Sequence, residues 1–590
     1  MAEKNNMPLS VEELSKMNAF ESLWNCSMNH LNDVALTYSV DLKVDNTNSK
    51  PIVKKITYKQ LIENILKTYK SLKDHGVKSG DVITFSSITT PELIYTAYAS
   101  IMLGSIFKPI DVRFNSEDLL KQFKNTESKL FFCSEPFLSR VIPIQSDIGV
   151  DKIIVMNFKE SLPKIIKLAS KLQKNESSKI ELKDKTFTNW QKFSFQFSAG
   201  DIPKNMPGKD EIIHFTATTG TTGEPKTLLH NSSNWNAQLY NASYSDLDFK
   251  RGERFFNCTV PWVDFGIINA IHIFLCNGIV MNLDPLWSPE KNADYIIKYN
   301  PNWWMGAPGW LDDLFTNEKY NSVEGLNAKY FITGGAPLYP HKHLLYQERL
   351  SEMSKNGRIT PGYGFSEASA AVTTDTENKP DTIGRMWPLI NAELRDYSTG
   401  KVVDDGQEGE LWISSKREDL TQISPGYYNN EEKTKEIFVT DEKGIRWVRS
   451  GDKVRKNTDG TYTWISRYKN ILTYNGYNID CEKISDYVSR LDDVTRTAII
   501  GSVASDGNQM PVICVEKKEE SIITDEELKN QIQTLIGEKF PDYYKPAGIV
   551  VYQKFPTISM KIDVQALKRD VLNENGEFKV LDKEKTLTKK

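Results

Sequence analysis

Short apolar runs alternate with helix-spaced apolar positions along most of the chain. Val82 to Phe85 and Leu130 to Cys133 are compact apolar runs, and Leu93 to Leu103 lies between them with a helical pattern. Runs this short, bounded by polar residues, predict buried strands. Their alternation with helices predicts βαβ units and parallel sheets. The helix predicted over 91–103 follows Thr89 and Thr90, hydroxyl residues suited to capping, and stops at Gly104. Residues 164–184 read as a lysine-rich helix running into a polar stretch, a surface excursion.

The pattern changes late in the chain. Residues 441–466 read as short strands, the last pair joined by an Asp459-Gly460 turn. From Lys469 a compact α+β pattern follows. Helices are predicted over 484–491 and 526–539, and strands over 497–500 and 512–515. A domain boundary is therefore expected near Arg467. No internal repeat is present.

Composition narrows the function classes. With 590 residues the chain is too long for one ordinary domain, and 39% hydrophobic with 26% charged residues reads as soluble and globular. A net charge of -4 offers no basic footprint for nucleic acid. The six cysteines, at 26, 133, 258, 276, 481 and 514, have no C-x-x-C spacing, and no Cys/His cluster in the sequence suggests zinc. Reduced thiols in a cytosolic protein are expected. The N-terminal residues lack a signal-peptide core, the longest apolar stretches such as 267–276 are too short to span a bilayer, and the basic C-terminal end carries no lipidation motif. A cytoplasmic location is the expectation.

Candidate chemistry begins at residues 217–227, Ala-Thr-Thr-Gly-Thr-Thr-Gly-Glu-Pro-Lys-Thr, preceded by the apolar run Ile212-Ile213-His214-Phe215 and followed by a Leu-Leu pair. Gly220 and Gly223 allow the backbone to turn its N–H groups inward as an anion nest. Thr218, Thr219, Thr221 and Thr222 add hydroxyl donors, and Lys226 adds a point charge. Pro225 before the lysine rules out a Walker A loop. Taken alone, the stretch also fits a Thr/Gly-rich surface turn.

Further motifs follow in order. Gly334-Gly335-Ala336-Pro337 succeeds an apolar run, Tyr363-Gly364-Phe365-Ser366-Glu367 comes next, and then Ser450-Gly451-Asp452. Arg467-Tyr468-Lys469-Asn470 precedes Gly476, and Pro556-Thr557-Ile558-Ser559-Met560-Lys561-Ile562 lies near the end. The loop at 218–226 and these motifs together resemble the signatures of the adenylate-forming superfamily: acyl- and aryl-CoA synthetases, luciferases and nonribosomal adenylation domains. The resemblance covers nearly the whole chain. Four positions depart from the family pattern: Thr227 and Met560 stand where glycine is usual, Thr473 where lysine is common, and Pro556 sits one residue closer to the motif than is usual.

The resemblance implies an α/β fold with two unequal parts. A large N-terminal domain over 1–466, with parallel or mixed sheets flanked by helices and a β-subdomain, would be joined by a hinge at 467–469 to a small mobile α+β domain over 470–590. It implies ATP and Mg²⁺ as reactants. The threonine/glycine loop would hold the β- and γ-phosphates, and Gly334 to Pro337 would line the adenine and acyl pockets. Tyr363 would stack on adenine beside Gly364 and Phe365, with Ser366 reaching the α-phosphate and Glu367 holding Mg²⁺, an ion that prefers oxygen ligands. Asp452 would accept hydrogen bonds from both ribose hydroxyls, with Arg467 reaching the ribose and Lys469 the pivot. Lys561 matches the catalytic lysine that bridges the attacking carboxylate and the α-phosphate, with Glu367 and Thr218 at the same centre.

The acyl wall is expected from Trp262, Val263, Asp264 and Gly266. Acetyl-CoA synthetases carry Trp where this chain has Gly364, so Gly364 suggests room for an acid longer than acetate. Asp264 has two readings. In amino-acid-activating members an Asp at the similar place pairs with the substrate ammonium; alternatively Asp264 caps the helix beginning at Phe265. The implied activity is formation of an acyl-AMP, then transfer to coenzyme A, as in an acyl-CoA synthetase of fatty acid metabolism. The alternatives are a stand-alone enzyme loading an amino or acyl group onto a carrier protein, and an inactive nucleotide-binding homologue. The sequence leaves the acid, the acceptor thiol and the oligomeric state open.

Overall fold

The computed structural model describes residues 9–40, 44, 51–158, 186–194, 197–218, 226–404, 406–504, 507–558 and 561–579. The lysine-rich stretch expected to be helical over 164–184 lies outside the described residues, as does the expected phosphate loop over 219–225.

Two large sheets dominate. One is eight-stranded, with central strands Ile106–Pro109, Val82–Ser86, Leu130–Ser134 and Lys152–Met156 all parallel. The other is nine-stranded, with parallel strands Arg254–Phe256, Trp303–Gly306, Tyr330–Thr333 and Arg358–Phe365 at its centre. A five-stranded antiparallel sheet follows, built on Glu408–Ser415, Arg446–Lys456 and Tyr462–Arg467. The Asp459-Gly460 turn closes its last hairpin, with Gly460 left-handed at φ 83°.

The helix Pro91–Leu103 starts and stops where its residues dictate. The Thr90 hydroxyl accepts from the Leu93 N–H, Pro91 occupies the first turn, and Gly104 ends it at φ 79°. Apart from Leu103 its residues are buried, in keeping with an apolar sequence all round. Helix Ser232–Ser243 is almost as deeply buried, yet its sequence is polar. Its amides satisfy carbonyls of distant segments: Asn236 donates to Leu14 and Met17, Gln238 to Ala368 and Ala371, and Asn234 to Thr421 and Ile423. Buried polar groups paired this completely tie the N-terminal residues and the 368–371 and 421–423 segments to one helix.

After Arg467 the chain forms its own cores. Strands Val494–Val503, Gln509–Lys517 and Gly548–Tyr552 form a three-stranded sheet, packed by helices Cys481–Val488, Asp525–Lys539 and Val564–Val571. One apolar cluster gathers Leu472, Ile484, Ile513, Leu528 and Ile532; a second gathers Ile500, Val512, Tyr552, Phe555 and Leu567. The six cysteines are free and buried. Among the described residues, no helix is long and apolar enough to cross a membrane.

Candidate active site

Strands Ile212–Thr218 and Lys226–Asn231 pair antiparallel, with Thr218 opposite Lys226. The strand pair therefore brings both ends of the threonine/glycine stretch together. Thr219, Gly220, Thr221, Thr222 and Gly223 are outside the described residues, as is the Thr218 side chain. Lys226 is half-buried at the base of the hairpin.

Beside this base stands Glu367, in a single 3₁₀ turn after strand Arg358–Phe365. The Tyr427 hydroxyl donates to Glu367 Oε1, and the Ser424 N–H donates to the Glu367 carbonyl at 3.0 Å. Tyr427 belongs to a short strand that pairs with Leu228, so one strand connects the hairpin to the candidate metal carboxylate. Burial and the Glu367 charge push the Tyr427 phenol well up, which keeps it a donor. Sequence reasoning missed Tyr427. Its neighbours Gly426 and Tyr428 carry no pattern that places it beside a residue so far back in the chain.

The expected nucleotide residues converge. The Tyr363 hydroxyl donates to Asp452 Oδ2 at 2.7 Å, and Arg467 Nε lies 3.1 Å from Asp452 Oδ1. Asp452 is buried and sits opposite Arg467 across adjacent strands. Burial raises the Tyr363 phenol, and the Asp452 carboxylate raises it further. Gly334 to Pro337 follows strand Tyr330–Thr333, with Gly335 left-handed at φ 78°. A Cβ on Gly334 would stand 3.4 Å from the Gly362 carbonyl and 3.8 Å from Phe265, so this turn packs against the start of the 363–367 motif and the acyl-wall segment.

Two expectations about the acyl wall are corrected. The space beside Gly364 is not open: a Cβ there would stand 1.9 Å from the Ala370 carbonyl oxygen. Glycine is required because the adjacent strand, pairing Gly364 with Ala371, approaches so closely. It therefore carries no information about the length of the acid. Asp264 does not cap the helix Phe265–Ile273: its own backbone is already helical, and its side chain makes no capping hydrogen bond. Its carboxylate is buried instead against His230, at 3.1 Å, and His214, at 3.9 Å, and the Thr216 hydroxyl donates to it. Burial alone would raise this carboxyl, but His230, His214 and Thr216 outweigh it and leave its pKa at about 2. Gly266 is required by the turn, since a Cβ would meet the Val260 carbonyl at 1.8 Å. Trp262 is buried nearby, with the Arg113 guanidinium 5.8 Å from its ring; Val263 turns the chain through its carbonyl, which accepts from Gly266 and Ile267.

Lys469 lies in the 3₁₀ turn Tyr468–Asn470, directly after the last strand of the five-stranded sheet. Burial lowers its pKa, and Arg467 lowers it further. Across the turn, Asn470 faces Glu482 at 3.4 Å. Lys561 begins a two-residue strand paired with Thr557–Ile558, and its side chain is not among the described ones.

Residues 29–428 match the family model described as AMP-binding enzyme. The chain is 21% identical over 495 residues to luciferin 4-monooxygenase of Photuris pensylvanica, covering 82% of this chain and 84% of the relative. It is 22% identical over 534 residues to a long-chain-fatty-acid–CoA ligase of Bacillus subtilis, covering 89% and 91%. Among solved structures it is similar to the anthranilate CoA ligase AuaEII in complex with anthranoyl-AMP, with a TM-score of 0.77, 17% identity, and coverage of 94% of this chain and 97% of that one.

Proposed function

The chain belongs to the AMP-binding enzyme family, and we propose on that footing that it activates a carboxylic acid with ATP, forming an acyl-AMP and pyrophosphate, and then passes the acyl group to the thiol of coenzyme A. The observation that supports this reading is the convergence of Tyr363, Asp452 and Arg467. A buried carboxylate already engaged by a phenol and a guanidinium is an oriented acceptor for a ribose diol.

In this reading the substrate carboxylate attacks the α-phosphorus and pyrophosphate leaves. The protein positions the reactants and neutralises charge rather than forming a covalent intermediate. Thr218, the loop amides and Lys226 hold the leaving phosphates, and Lys561 bridges the reacting oxygens. Ser366 contacts the α-phosphate and Gly334 to Pro337 flank the base. Glu367 is the carboxylate suited to Mg²⁺: a hard oxygen donor, oriented through one oxygen by Tyr427. When bound, the ion would neutralise phosphate charge. Residues 470–590 form a small domain that turns about Lys469 between the two half-reactions, against a large domain over 1–466.

Coenzyme A is supported as acceptor by the activity for which the Bacillus relative is named. The luciferase relative shows that relatives of this sequence do not all carry a CoA-ligase name. The deciding experiment is pyrophosphate release by the purified protein with Mg²⁺-ATP and panels of fatty, aryl and amino acids, each with and without coenzyme A. Release enhanced by coenzyme A, with thioester produced, is the expected result. Release indifferent to coenzyme A would move the acceptor to a carrier protein, and no release with any acid would favour a nucleotide-binding homologue.

A further inference from the structure

His214 and His230 face each other on the two strands that hold the phosphate loop, as direct Cα partners with their rings stacked 5.2 Å apart. Asp264 joins them from within the expected acyl-wall segment. One ligand atom from each of the three lies within 4.8 Å of the other two. The residues are 0%, 0% and 2% exposed. His214 Nδ1, His230 Nε2 and Asp264 Oδ2 have no hydrogen-bond partner, although each is buried. Leaving such atoms unsatisfied is costly, more so for a charged group. The two inward imidazole nitrogens lie 3.9 Å and 3.1 Å from the other Asp264 oxygen, Oδ1, and unpartnered atoms gathered in one buried place point to an occupant.

The outward sides of the cluster are organised. His230 Nδ1 is 3.1 Å from Ser369 Oγ, His214 Nε2 is 3.4 Å from Thr216 Oγ1, and Thr216 donates to Asp264 Oδ1. Each imidazole thus has one ring nitrogen engaged outward and the other turned inward, the arrangement that fixes metal-binding histidines. Bond lengths of about 2.0–2.2 Å in a tetrahedral zinc site place neighbouring donors roughly 3.3 Å apart. The observed separations from Asp264 Oδ1, 3.1 Å and 3.9 Å, bracket that value. Two imidazoles and a carboxylate suit a borderline transition metal and not Mg²⁺, which prefers oxygen donors throughout.

We propose that His214, His230 and Asp264 bind a divalent transition-metal ion, zinc by their donor set, as a buried site separate from the catalytic Mg²⁺. The ion would fasten the start of helix Phe265–Ile273, and with it the acyl-wall segment, to the stem of the phosphate loop. It would also balance the carboxylate charge, which no Lys or Arg side chain meets in an ion pair among the described contacts.

The test is metal analysis of untagged full-length protein purified without chelators. One zinc per chain is expected. It should survive brief EDTA treatment, because so deeply buried an ion exchanges only when the core opens. Growth in cobalt-supplemented medium should give visible d–d bands of tetrahedral Co²⁺, with first-shell N/O scatterers at about 2.0–2.1 Å by X-ray absorption. His230→Gln and Asp264→Asn should each lower bound metal more than tenfold and lower the thermal midpoint, whereas His272→Gln, a buried histidine outside the cluster, should retain it. Wild-type protein with no stoichiometric metal, and none taken up on refolding with excess Zn²⁺, would overturn the proposal. So would full retention of metal in His230→Gln and Asp264→Asn. Failure of those variants to fold leaves the wild-type metal content and spectra to decide.

Discussion

Tyr363 and Lys561 make separable demands on the site. The Tyr363 hydroxyl is one of two groups engaging the buried Asp452 carboxylate. Tyr363→Phe leaves that oxygen without its donor, a loss of about 1–3 kcal/mol for a buried charged acceptor. The expected outcome is a raised KM for ATP with a smaller change in kcat, measured by pyrophosphate release. Lys561 is assigned to the reacting oxygens alone. Lys561→Ala is expected to slow adenylation by about 10²–10³-fold, the range for removing one group that stabilises developing charge. Thioester formation from supplied acyl-AMP should be nearly unchanged. Equal loss of both half-reactions would refute that division of labour. Asp452, Arg467 and Glu367 could be picked out as candidates because each sits in a short motif that carries the family resemblance. Tyr427, His214 and His230 were not, since their partners lie far away along the chain and no local pattern marks them.

Elements were legible where their ends are written in residue chemistry. Thr90, Pro91 and Gly104 delimit one helix at the predicted residues, and the Asp459-Gly460 turn lies where the pattern placed it. Thr90→Ala is expected to cost about 1 kcal/mol through loss of the cap, read as a lower urea midpoint with an unchanged slope. Gly364 shows the opposite case. The resemblance, through the Trp that acetyl-CoA synthetases carry at this place, suggested room for a longer acid, whereas the backbone of the adjacent strand lies where a Cβ would stand. Gly364→Ala should therefore destabilise the protein by roughly 1–3 kcal/mol through overpacking, whatever acid is supplied, read as a lower urea midpoint. Helix Ser232–Ser243 was illegible for a related reason. The carbonyls that satisfy its amides come from segments brought in only by folding.

At the scale of the whole molecule, the junction after Arg467 carries a titratable group. Burial raises Glu482 from 4.5 to about 7, opposed by Asn470 and Arg467 and reinforced by Asp480 and Asp452. The folded state then holds this proton where the unfolded chain has released it. Stability contributed by the protonated carboxyl is therefore present at low pH, falls as pH climbs from about 4.5 to about 7, and changes no further above. Glu482→Gln should flatten this part of the pH dependence of the urea midpoint; an unchanged profile would show that the group titrates normally.

The sequence by itself determined the alternation of strands and helices, their caps and turns, and the order of motifs on which the adenylate-forming resemblance rests. These are local properties, set by hydrophobic period, backbone preference and short spacing. Tertiary structure alone decided which groups meet. It set Tyr427 against Glu367, filled the space beside Gly364, and placed Asp264 against two histidines. Burial then decided their chemistry, because a carboxylate or imidazole removed from water takes its properties from whatever folding places next to it.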